Sequence, residues 1–203
     1  IKKIYVILPS GMKHIFDILI QSISLIWKLL TNTTLAWDEI VKEKSSERDT
    51  VMHFAVPSIV LCIIFSGFFS FIYADNNNFA IGIITGLVSA ISLAGGNYIA
   101  YKIGWWGLTK YQPKFAVKLN LVKLIIYSYS IIYVLKAFTA LIPSLFFLKV
   151  LSVFTAYLVW DGCRAVMGMD EDERGNFVLT MTVVIVFTPL IIRYIFEWML
   201  PNI

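Results

Sequence analysis

The chain has 203 residues, 59% of them hydrophobic and only 15% charged, with a net charge of +4 and a mean hydropathy of +0.78. Soluble domains carry about 25% charged residues and cannot hide this much apolar surface, so a water-soluble enzyme or binding module is excluded and a membrane protein is expected. Two cysteines, Cys62 and Cys163, are too few for a disulfide framework or a thiolate metal site, and both sit in apolar runs as packing residues do.

Residues 1–11, "IKKIYVILPSG", join a basic start to an apolar run too short for a signal peptide, with no small-residue cleavage site after it. They read as a non-native or disordered extension ahead of Met12. Residues 12–50 read as a helical arm. Within it, "KHIFDILIQSISLIWKLL" (13–30) places His14, Asp17, Gln21, Ser24 and Lys28 three or four positions apart, one narrow polar stripe on an apolar helix. Asp17 and Lys28 are expensive inside lipid, so this helix is expected in the membrane interface or against the bundle. "TNTT" (31–34) supplies turn and N-cap residues for a second short helix, "LAWDEIVKEK", and "SSERD" (45–49) is a polar hinge.

A spanning helix needs roughly 20 apolar residues. Within residues 51–203, five stretches qualify, at about 54–73, 79–101, 119–140, 143–163 and 177–199. Aromatic residues such as Phe54, Tyr73, Trp105 and Trp198 mark their ends, as in an interfacial belt. The expected fold class is all-α, a polytopic bundle of five transmembrane helices preceded by a cytoplasmic amphipathic helical arm.

The connections alternate in charge. "ADNNN" (74–78) and "LIPS" (141–144) carry no Lys or Arg. Lys42, Lys44 and Arg48 precede the first span, Lys102, Lys110, Lys114 and Lys118 follow the second, and Arg164 and Arg174 follow the fourth. The positive-inside rule then puts the N-terminus inside and the C-terminus outside, in the cytoplasmic membrane if the chain is bacterial. On this topology Trp160 and Asp161 mark the exit of the fourth span, Arg164 snorkels, and "DEDERG" (170–175) is a solvated turn before the fifth.

In the second span, Gly82, Gly86, Gly96, Ala100 and Gly104 recur on helical faces. In lipid such faces let helices approach closely, within one chain or between two copies. Lys123 lies near the inner end of the third span, from which it can snorkel. Lys136, Lys149, Arg193 and Glu197 fall in the outer half, where they either snorkel separately or line a polar cavity. Glu197 lies one helical turn beyond Arg193, so these two are expected to pair.

The arm and membrane domain together resemble the Yip family, the Ypt/Rab-interacting-protein domain, in its short bacterial form. The family's arm ends in an Asn-Pro turn before an Ala-Trp and an acidic helix; here Asn32-Thr33 precedes Ala36, Trp37, Asp38 and Glu39. Tyr127-Ser128-Tyr129-Ser130-Ile131 is similar to its Tyr-Ser-Tyr-Thr-Pro, and Tyr157 through Gly162, then Met167, to its aromatic–Leu run into Gly and Met. Thr33 and Ile131 stand where the family favours Pro, and Asp161 and Arg164 where it favours Leu and Pro. The resemblance implies an arm followed by five spans and no settled enzymatic activity. Eukaryotic relatives are linked to Rab GTPases through a longer N-terminal region, so GTPase binding is not carried over.

Chemistry-bearing patterns are otherwise sparse. His14 and His53 have no metal-ligand neighbours in sequence, and Gly95-Gly96 lies inside a span rather than in a phosphate loop. The expectation is no catalytic residue, no cofactor, no metal and no nucleic-acid partner. Two functional classes remain. A non-enzymatic scaffold would engage the lipid bilayer and other membrane proteins, or itself as a homodimer. A small transporter or permeation subunit would use the outer polar cluster. The scaffold is favoured because no span shows a broken helix with converging polar groups.

Overall fold

The computed structural model describes residues 10–74 and 79–200, with side chains from residue 17 onward. The first nine residues, the His14 side chain and residues 75–78 lie outside the described residues.

Helix α1 (Ser10–Thr31) stops where Asn32 turns out of helical geometry and caps α2 (Thr33–Lys42), its side-chain oxygen accepting from Leu35 N at 3.4 Å. Thr33 occupies the first position of α2, the site where proline is tolerated in helices, and its hydroxyl donates to Leu29 O at 2.8 Å. A capping box between Ser46 and Asp49 opens α3 (Glu47–Thr50). A π turn (Val51–Ala55) carries α3 into α4 (Val56–Tyr73).

Helix α5 (Phe79–Tyr111) forms the second span, and α6 (Lys118–Ser128) with α7 (Ser130–Leu141) the third. The fourth span is composite: a 3-10 stretch (Pro143–Phe154), α8 (Thr155–Gly162) and a π turn (Cys163–Met167). Gly168 ends it at φ +67°, a conformation that favours glycine. Helix α9 (Glu171–Met199) is the fifth. All five are long and apolar enough to cross a membrane, and the described residues contain no strand.

The third span is the hub. Its apolar window is 56% buried, against 17% to 39% for the other four. It packs on α4, α5 and α8, while α1 rests on α2, α4 and α7. The arm helix therefore lies against the bundle.

Several segments differ from the sequence expectation. The third span is interrupted at Tyr129, and the fourth has Leu145 off helical geometry, so helices are broken where none was expected. The tighter 3-10 winding makes twelve residues reach about 24 Å instead of about 18 Å. The acids 171–173 are the first turn of α9 rather than a turn ahead of it, because carboxylates there meet the positive end of the helix dipole.

All five small residues of the second span are buried within the single chain. A Cβ on Gly82 would lie 2.8 Å from the Gly67 carbonyl oxygen, and one on Gly96 2.8 Å from both the Pro189 ring and the Tyr129 hydroxyl. One end of the face thus admits α4, and the rest admits the third span, at Leu121 and Tyr129, and α9. Gly82→Ala should destabilise the bundle by about 1–3 kcal/mol, since it drives a methyl into backbone. Gly107→Ala meets nothing within 4 Å and should be neutral or stabilising by up to about 1 kcal/mol. Denaturant titration in detergent micelles measures both, and equal effects would contradict this packing.

Candidate functional site

The end of the bundle beneath α2 is built around Trp37, which is fully buried. The α2 face that buries it repeats helically as Thr33, Ala36, Trp37 and Ile40. Its indole meets Tyr127 edge-on with ring centroids 6.0 Å apart, and Tyr127 in turn meets Phe54 at 4.6 Å. Gly162 forms the floor: a Cβ there would lie 2.7 Å from Trp37 Cζ2 and 2.5 Å from Leu124 Cδ1. Of the remaining family-like residues, Tyr129 and Met167 are buried in the core and Tyr157 is exposed.

Three charged side chains at this end of the bundle are buried, and two of them, Lys123 and Asp161, hold α2. Lys123, only 5% exposed, donates to Ile40 O at 3.1 Å and Glu43 O at 2.9 Å. An ammonium at the last carbonyls of α2 satisfies groups the helix leaves open and complements its dipole. Lys123 was expected to snorkel; it turns inward because α2 covers it. Asp161 accepts a 2.9 Å hydrogen bond from Thr34 Oγ1, tying α2 to the fourth span, while Arg164 stands 3.8 Å away and half-exposed. Arg174 lies 4.1 Å over the Trp160 ring and donates to Glu171 at 3.1 Å. Gln112 donates to Glu173 O at 2.6 Å, and Lys114 pairs with the Glu173 carboxylate, joining the α5–α6 connection to the start of α9. On the surface, Lys28 pairs with Glu39 at 2.6 Å and ties α1 to α2.

Helix α1 shows three faces. Ser22, Ile26 and Leu29 are buried, and the Ser22 hydroxyl donates to His53 O at 2.7 Å. Asp17, Gln21, Ser24 and Lys28 form an exposed polar stripe. Ile20, Ile23 and Trp27 form an exposed apolar stripe between the other two, with Trp27 68% exposed.

At the opposite end of the bundle, Lys136, Lys149 and Arg193 line one cavity of about 90 Å³, from the third, fourth and fifth spans. Arg193 also pairs with Glu197 at 2.5 Å. The structure thus brings the four predicted charges into one region. Between the two ends, Asn97 donates to the Tyr133 hydroxyl at 3.1 Å. Asn97 was not singled out from the sequence, although an amide inside an apolar run is a visible signal. The described residues contain no cluster of His, Cys, Asp and Glu that could hold a metal ion.

These features define a class: a polytopic α-helical membrane protein whose N-terminal arm is locked into one end of its bundle. The Yip1 domain family model matches residues 27–193, and the chain belongs to that family. The matched region contains Trp37, Lys123, Gly162 and Arg193 and stops short of Glu197. No curated protein and no solved structure matches the chain.

Trp37→Ala removes the seat's largest side chain and should cost about 3–5 kcal/mol. Lys123→Met keeps the stem but frees the Ile40 and Glu43 carbonyls at the end of α2. Trypsin should then cut after Lys42 and Lys44 several-fold faster than in wild type, with the spans intact. An unchanged cleavage rate would contradict the capping role.

Proposed function

We propose that this protein is a non-enzymatic organiser of membrane-protein assemblies, with its arm end in the cytoplasm. The three-faced α1 carries the reading. One face is fixed to the bundle, one is polar, and the Ile20, Ile23 and Trp27 stripe is left free to meet lipid or the apolar flank of a partner. A rigid helix fixed by its own chain presents that stripe at little entropic cost. The orientation is supported by the side on which the cations fall, with Lys42, Lys44, Lys110 and Lys114 all near the arm end.

The competing reading, a small transporter, draws on the basic cavity at the far end. A photo-cross-linker placed at position 27 in intact membranes separates the two. The organiser reading expects a discrete protein adduct that Ile20→Ser with Ile23→Ser abolishes while the melting temperature of the purified protein is kept. An adduct of twice the chain's mass identifies a second copy as the partner. Adducts to lipid alone would contradict the reading and leave α1 as a membrane anchor.

A further inference from the structure

The far-end cavity places three basic side chains from three spans at one level. Lys136 lies five residues before the end of α7 at Leu141, Lys149 six after the start of the fourth span at Pro143, and Arg193 six before the end of α9 at Met199. At helical rises these positions lie about 8–12 Å inside the bundle's end, the depth at which headgroups give way to acyl chains. Their charge is not balanced within the chain. Glu197 is taken by Arg193, and among the described residues neither the Lys136 nor the Lys149 ammonium forms an ion pair or a hydrogen bond. Independent snorkelling cations point outward to water, whereas these three face one cavity. Its inner wall is apolar, from Leu93, Leu135 and Pro189. A volume of about 90 Å³ exceeds the roughly 10–15 Å³ that one water needs, leaving room for a tetrahedral oxyanion.

We propose that this cavity binds a phosphate-class oxyanion, held by Lys136, Lys149 and Arg193 and supplied either by an anionic lipid headgroup in the adjacent leaflet or by soluble phosphate. Two lysines without partners provide the charge, and Arg193 brings planar donors suited to phosphate oxygens. The apolar inner wall suits an acyl chain continuing from a headgroup. The inference does not depend on the organiser reading, since it concerns the opposite end of the bundle.

The test is the thermal midpoint of the purified full chain in detergent, titrated separately with inorganic phosphate, phosphatidylglycerol and phosphatidylcholine. A saturable rise with phosphatidylglycerol alone assigns the oxyanion to a headgroup. A saturable rise with inorganic phosphate assigns it to a soluble ion. In either case Lys149→Gln, at an exposed position, should weaken apparent affinity about tenfold or more. Lys136→Gln should act in the same direction, Lys149→Arg should retain binding, and Lys102→Gln near the arm end should change nothing. No saturable rise with any probe, a rise of equal size with phosphatidylcholine, or full affinity in both glutamine variants would overturn the proposal.

Discussion

An indole is buried against a glycine where α2 crosses the fourth span, and the arrangement of this end of the molecule depends on that contact. Trp37 fits only because Gly162 has no side chain, and Gly162 is in reach only because Leu124 and Tyr127 of the third span form the adjoining walls. Once the ring is seated, α2 has one available direction. Its C-terminal carbonyls then lie over Lys123, and Thr34 lies over Asp161. The hydrogen bonds follow from the packing and in turn fix its register. Helix α1 inherits its position through the Asn32 turn and the Lys28–Glu39 pair.

The second constraint is the cost of charge near hydrocarbon, and the two ends of the bundle meet it differently. At the arm end every deeply buried charge has a local answer: carbonyls for Lys123, a hydroxyl for Asp161, a carboxylate and an aromatic face for Arg174. At the far end, among the described residues, the basic side chain answered by a carboxylate is Arg193. The arm end is accordingly a closed structural joint, and the far end is chemically open.

The spans were legible because hydropathy and the bilayer's thickness fix their number and rough extent without tertiary information. The polar stripe on α1 was legible for the same local reason. The joint was not. Thr34 and Asp161 are 127 residues apart and Lys123 lies 80 or more from its carbonyl partners, so sequence spacing cannot show that these groups meet. Read locally, Lys123 is an interfacial lysine; only the presence of α2 above it makes inward turning favourable. The interruption at Tyr129 also escaped, since no proline or glycine stands there, and so did the 3-10 winding of the fourth span, because Pro143 at its first position is equally compatible with an α-helix. The acidic start of α9 carried a readable signal, acids at a helix N-terminus, that the topology argument overrode.

The central claim is that the arm is part of the folded membrane domain rather than a tethered appendage. Hydrogen exchange of backbone amides 36–42 in lipid nanodiscs tests it most directly. A seated α2 predicts slow exchange, with protection approaching that of the third span and collapsing together with it as denaturant is added. Exchange of these amides within seconds, while the spans stay protected, would contradict the account.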